Sequence, residues 1–134
     1  MIEFRLDTHS GVTTYMQLIH QVHQALRLGY LQPGDQLPTV REVVGKLAIN
    51  PNTVLKAYHE LERDGLVSSR PGAGTFIREK VTIGPHPKHA GLRAGLSRWM
   101  QRAREAGLDN GDLRALFEDA MQQDAGDAAT GTSL

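Results

Sequence analysis

The sequence predicts a mainly α chain carrying one small β-hairpin. Three observations lead there. Apolar residues recur at helical spacing in three stretches between residues 14 and 64, each parted from the next by a short turn signal. The tetrapeptide Pro71-Gly72-Ala73-Gly74 then stands between two short strand-like runs. Past residues 81–91, which hold two prolines and two glycines, two more helically spaced apolar stripes follow.

In the first stretch, TYMQLIHQVHQALRL (14–28), Tyr15, Leu18, Ile19, Val22, Ala25 and Leu26 share one helical face. Thr13 or Thr14 can cap its start, and Gly29 follows its end. The next segment, GYLQPGDQLP (29–38), reads as a turn around Pro33-Gly34-Asp35, where proline's fixed φ suits the corner. A second helix opens at Thr39. Thr39-Val40-Arg41-Glu42 is a capping box, in which the threonine oxygen accepts from the amide three residues on and Glu42 reaches back. Val40, Val43, Val44 and Leu47 form its stripe, and Ala48-Ile49 connects it to the third helix. There Asn50 is the cap and Pro51 takes the first helical position, where its missing N–H costs nothing. This helix is expected to run to Asp64 and stop at Gly65.

The hairpin strands are expected at Leu66 to Ser69 and Thr75 to Ile77. A helix over 92–106 carries Leu92, Leu96, Trp99, Met100 and Ala103. The chain turns at Leu108-Asp109-Asn110-Gly111, and Asp109 or Asn110 caps a last helix with Leu113, Leu116, Phe117 and Met121. From about Asp124 the residues are mostly small and polar, and a disordered tail is expected. The expected organisation is a winged helix-turn-helix over 1–80, a linker over 81–91, a two-helix dimerisation hairpin over 92–123 and a tail over 124–134.

Composition limits the function. The chain has no cysteine, so it has neither disulfides nor thiolate metal sites. The start MIEFRLDTHSGV lacks the basic and apolar regions of a secretory signal, and no apolar run approaches the roughly 20 residues that span a bilayer. A cytoplasmic protein without a membrane partner is expected. The formal net charge is zero but segregated: −1 over residues 1–40, +2 over 41–80, +5 over 81–104 and −6 over 105–134. That pattern suggests a basic central surface and an acidic tail.

On a helical wheel of about 100° per residue, Val54, Ala57, Tyr58 and Leu61 of the third helix face inward. Asn52, Lys56, His59 and Glu60 fall opposite, with Thr53 to one side and Leu55 at the boundary. In a winged helix-turn-helix this helix enters the DNA major groove with its N-terminal residues at the base edges. Asparagine can pair bidentately with adenine, threonine serves several bases, lysine binds guanine or phosphate, and a leucine can touch a thymine methyl. The free amides of the helix start favour a phosphate oxygen. Read plainly, Asn50, Asn52 and Thr53 are only capping residues, and Arg41 is a surface arginine pairing with a nearby acid. Arg70, Gly72, Gly74 and Thr75 form the hairpin tip, where glycine lets backbone amides approach a phosphate. The candidate DNA-binding residues are therefore Thr39, Arg41, Asn50, Asn52, Thr53, Lys56, Arg70, Gly72, Gly74 and Thr75.

Residues 10–78 resemble the DNA-binding domain of GntR-type bacterial transcription regulators. The resemblance rests on PGDQLPT, the Arg41-Glu42 pair, NPNTVLKAY, ELERDGLV and GAGTF, which occur in that order. The short C-terminal part resembles the YtrA-like subfamily, whose two C-terminal helices serve dimerisation in place of a large effector-binding domain. The resemblance implies DNA contacts at Arg41, at the start of the third helix and at Gly72. It implies a repressor acting on a transporter operon, often its own. Many relatives carry arginines where this chain has Pro51 and Leu55, so their base preference does not transfer.

A two-helix unit cannot bury both apolar stripes alone. Leu92, Leu96, Trp99, Met100, Leu113, Leu116, Phe117 and Met121 are therefore candidate homodimer contacts. A two-fold dimer calls for double-stranded DNA with an inverted-repeat operator, its half-sites about 34 Å or a multiple apart. No catalytic residue is expected, since no serine outside the tail sits in a nucleophile motif. No metal or cofactor is expected either. His20 and His23 lie one helical turn apart, and His86 and His89 lie near each other, but a clear third ligand is lacking. The alternatives are a winged-helix protein-interaction module and a metal-responsive regulator using these histidines. The sequence identifies no small-molecule effector.

Overall fold

The computed structural model describes residues 2–131, with side-chain surroundings for residues 2–125. Its elements are α1 (Thr14–Leu28), α2 (Val40–Leu47), α3 (Pro51–Arg63), β1 (Val67–Arg70), β2 (Gly74–Ile77), α4 (His89–Glu105) and α5 (Asn110–Gly131). They form two compact units that divide between Pro87 and Lys88.

In the first unit, α1 buries the stripe read from its spacing: Leu18, Ile19, Val22, Ala25 and Leu26. Its end is set by Gly29, whose φ of 79° lets the Tyr30 amide donate back to the Ala25 carbonyl at 2.8 Å. α2 starts at the capping box, with the Glu42 amide 3.1 Å from Thr39 Oγ1 and the Glu42 carboxylate returning to the Thr39 amide. α3 buries Val54, Ala57, Tyr58 and Leu61 against α1 and α2. Removing side chains such as Leu18, Val22, Leu61 and Ile77 from water supplies about 1.5–3 kcal/mol each. The hairpin is antiparallel, with Val67 opposite Ile77 and Arg70 opposite Gly74.

Three features depart from the local expectations, and one, at the N-terminus, had none. Residues 2–6 are an extended arm: Phe4 is buried, and Ile2 and Leu6 pack on the same core. Two side-chain amides of α1 hold this arm as a neighbouring strand would. Gln21 Oε1 accepts from the Arg5 amide at 2.9 Å while its Nε2 donates to the Arg5 carbonyl, and Gln17 does the same with Asp7 at 2.8 and 2.9 Å. The 29–38 segment is more than a turn, because Gln36 bridges Phe76 and so extends the hairpin sheet beyond β2. The Leu37 amide donates to the Thr75 carbonyl and the Ile77 amide to the Asp35 carbonyl, both at 2.8 Å.

The expected 81–91 linker is divided, since Val81 and Ile83 pack on the core of the first unit and α4 begins at His89. The tail expected to be disordered from Asp124 is instead helical as far as Gly131. Ala125, Ala128 and Ala129 are the strongest helix formers available, and no proline interrupts them. Residues 132–134 lie outside the described residues.

In the second unit, α4 and α5 are joined by a tight turn. Gly107 adopts φ 97°, and the Leu108 amide donates to the Ala103 carbonyl at 3.0 Å. Asp109 caps α5 reciprocally: its Oδ1 accepts from the Asp112 amide at 2.8 Å, and its own amide donates to the Asp112 carboxylate at 3.0 Å.

Candidate nucleic-acid interface

The start of α3 is built by its cap. Asn50 Oδ1 accepts from the Asn52 amide at 2.8 Å, and Pro51 fills the first helical position. Asn50 is thus committed through its oxygen to the helix, while its NH₂ group still projects from an exposed residue. Asn52 is exposed, and its side chain has no partner among the described residues. Thr53 is half-buried, and Lys56 and His59 are exposed. Leu55 is 40% exposed, an apolar contact beside this polar rim.

Tyr58 fixes the rim from below. Its buried hydroxyl donates to the Pro38 carbonyl, which ties α3 to the residue that precedes the α2 cap. Burial first, and the nearby Glu42 carboxylate second, push the Tyr58 phenol far above its ordinary range and keep it protonated as a donor. The starts of α2 and α3 are thereby held in one frame. Between them, Ala48 adopts φ 53° and ψ 43°, the sole non-glycine residue in the left-handed region among the described residues.

The charges are arranged for an anionic partner. Lys46 pairs with Glu3 at 3.7 Å and Arg63 with Glu60 at 3.2 Å. Arg41, Lys56 and Arg70 take part in neither, so Arg41 is not neutralised by a neighbouring acid as a typical surface arginine is. Lys56 Nζ lies 3.9 Å from the Tyr15 ring centroid, and the Arg70 guanidinium lies 4.6 Å from that of Phe76. Each cation is steadied by an aromatic face that leaves it charged and able to donate.

The wing tip is a turn with Pro71 and Gly72 at its corner positions. Gly72 has φ 76°, and the Ala73 amide donates to the Arg70 carbonyl at 3.0 Å. A Cβ on Gly72 would meet nothing within 4 Å, so this backbone stands open to an approaching ligand. At Gly74 the backbone itself demands glycine (φ 128°), and a Cβ would also displace the end of Gln36, whose Nε2 would lie 2.6 Å away and donates to the Ala73 carbonyl at 3.2 Å.

Thr39, Arg70, Gly72, Gly74 and Thr75 line one open cleft between the start of α2 and the wing. Asn50, Asn52, Thr53 and Lys56 form a separate rim along the first turns of α3, and Arg41 stands exposed on α2. Thr39 is partly committed, because its hydroxyl both accepts from the Glu42 amide and donates to the Glu42 carboxylate at 3.1 Å. Four supporting residues escaped the sequence reading: Tyr15, Gln36, Phe76, and Glu62, whose carboxylate accepts from the Ser69 amide at 2.9 Å and so ties the wing to α3. Tyr15 was legible only as part of an apolar stripe; Gln36, Glu62 and Phe76 lie within the motifs PGDQLPT, ELERDGLV and GAGTF, but nothing in those motifs names the partners they meet.

In the second unit, six of the eight candidate dimer residues meet. Leu96, Trp99, Met100, Leu113, Phe117 and Met121 line one apolar groove with Arg114 and Glu118. Leu113 is buried, but Phe117 and Met121 remain 44% and 55% exposed. Leu92 and Leu116 do not line the groove and are 73% and 47% exposed. Among the described residues no three His, Asp or Glu side chains converge as a metal site requires, and no helix is long and apolar enough to cross a membrane.

Comparison with known proteins adds a family. The model of the bacterial regulatory proteins of the gntR family matches residues 14–77. The HTH-type transcriptional repressor YtrA of Bacillus subtilis (strain 168) is 44% identical over 77 residues, which cover 58% of this chain and 59% of YtrA. The uncharacterized HTH-type transcriptional regulator YhcF of the same organism is 38% identical over 104 residues, covering 78% of this chain and 86% of YhcF. Among solved structures, YtrA from Sulfolobus acidocaldarius, a GntR-family transcription factor, superposes with a TM-score of 0.54 at 28% identity, covering 73% of this chain and 97% of that one.

Proposed function

Because the chain belongs to the GntR family of DNA-binding transcription regulators, in its YtrA-like branch, we propose that it is a cytoplasmic repressor that binds an inverted-repeat operator as a homodimer. In this reading the α3 rim enters the major groove of each half-site. Asn52 reads base edges, while Lys56 and Arg41 add backbone or guanine contacts. The wing cleft receives a phosphate through Arg70 and the open amides around Gly72. Occupancy of the promoter then blocks polymerase. Control of a transporter operon follows from the family resemblance.

The observation that carries this reading is the pairing pattern. Asn52 lacks a side-chain partner, and Arg41, Lys56 and Arg70 lack carboxylate partners, among the described residues of the unit that holds the helix-turn-helix and the wing. The core of a protein-docking face is depleted of lysine, whereas Lys56 stands exposed in the middle of this rim.

Selection of bound sites from random duplex DNA at fixed salt tests it. An inverted repeat with half-sites about one helical turn, ~34 Å, or a multiple apart is the expected product. Recovery of no motif, or of a single unrepeated half-site, would count against it. Transcription from a promoter bearing the selected site should fall when the protein is added, and a rise would reverse the assigned sign.

A further inference from the structure

We propose that α5 sets the register of the homodimer through two reciprocal ion pairs, Arg114 of each chain with Glu118 of its twin. The inference rests on the homodimer reading given above and names the contact that orients it. Arg114 and Glu118 both line the apolar groove of the second unit, alongside Leu113, Phe117 and Met121. They are four residues apart, so they share one face of α5. Yet neither takes part in an ion pair among the described residues.

The chemistry within one chain disfavours that pairing. An acid placed before a base is the better order at this spacing, and here the base comes first. Both groups are therefore better matched from outside than by each other.

A second copy supplies the match by symmetry. In a two-fold contact residue i meets residue j and j meets i. Two α5 helices laid antiparallel across the groove, with the axis level with Leu116, place Arg114 opposite Glu118 twice. The same arrangement covers Phe117 and Met121, which one chain leaves 44% and 55% exposed. Charges at the edge of an apolar contact govern orientation and partner choice more than raw affinity. The pair would thus exclude the parallel arrangement, in which each group meets its own kind.

Sedimentation equilibrium on the full chain tests this with charge reversals. Arg114→Glu and Glu118→Arg should each weaken the homodimer by about tenfold or more, since like charges then face each other twice. The doubly exchanged Arg114→Glu/Glu118→Arg chain should dimerise like the wild type. An equimolar mixture of the two single variants, one carrying a mass tag, should form mixed dimers in preference to either homodimer.

Circular dichroism of each variant, with wild-type helicity expected, separates helix loss from contact loss. A wild-type chain that is monomeric at tens of micromolar would overturn the homodimer reading itself. A wild-type dimer that tolerates both reversals, or single variants that fail to pair in the mixture, would overturn the register alone.

Discussion

Lys56 of α3 rests its ammonium 3.9 Å from the centre of the Tyr15 ring, at the start of α1. Forty-one positions separate the two in sequence, and the packing of α1 on α3 brings them together. The ring restrains the lysine stem while leaving its N–H groups to a partner. Tyr15→Leu should therefore weaken binding to operator and to random duplex alike, by about 0.5–1 kcal/mol, the size of an exposed cation–π contact. Tyr15→Phe, which keeps the ring, should bind like the wild type. Titrations at fixed low salt measure both. A Tyr15→Phe loss equal to that of Tyr15→Leu would place the role in the hydroxyl instead.

Tyr58 gives the fold a pH dependence with a definite sign. Its phenol is raised in the folded state by burial and by Glu42, while in the unfolded chain it titrates near the ordinary value of about 10. The stabilisation is complete below pH 10 and is lost as pH climbs beyond it, because only the unfolded chain then releases this proton. Tyr58→Phe should cost about 1–3 kcal/mol at neutral pH, the penalty for leaving the Pro38 carbonyl without its donor. It should also flatten the alkaline decline. Urea melts at pH 7 and above pH 10 give both quantities, and an undiminished alkaline slope in the variant would remove Tyr58 as its source.

Ala48 holds a left-handed conformation that costs an L-residue about 1–2 kcal/mol. Glycine relieves that strain but loses more chain entropy on folding, roughly 0.4–1 kcal/mol. Ala48→Gly is therefore expected to raise stability by up to about 1.6 kcal/mol, the largest difference of these two terms. Destabilisation in a thermal melt would show that the alanine methyl makes a packing contribution larger than the strain.

The parts of this molecule that depend on neighbours in sequence were legible from the sequence. The Thr39–Glu42 box formed as its spacing requires. The inward set Val54, Ala57, Tyr58 and Leu61 is buried, and Asn52, Lys56 and His59 lie outward, because a helix of this length has one way to bury its stripe. What could not be read depends on distant partners. The arm over residues 2–6 alternates apolar and polar residues, as strands do, but nothing local says that Gln17 and Gln21 replace its strand neighbour. Gln36 gave no sign that it both bridges Phe76 and supports the wing carbonyl of Ala73. The helix past Asp124 was hidden by small residues, whose composition suits a disordered segment and an alanine-rich helix equally well.

The central claim is that the outward amide of Asn52 reads sequence. Its most direct test is the ratio of operator to random-duplex affinity for wild type and Asn52→Ala at one salt concentration. Loss of about 1–3 kcal/mol on the operator, with random-duplex binding unchanged and discrimination relaxed at one position of the half-site, is the expected result. Equal loss on both DNAs, or none on either, would contradict it.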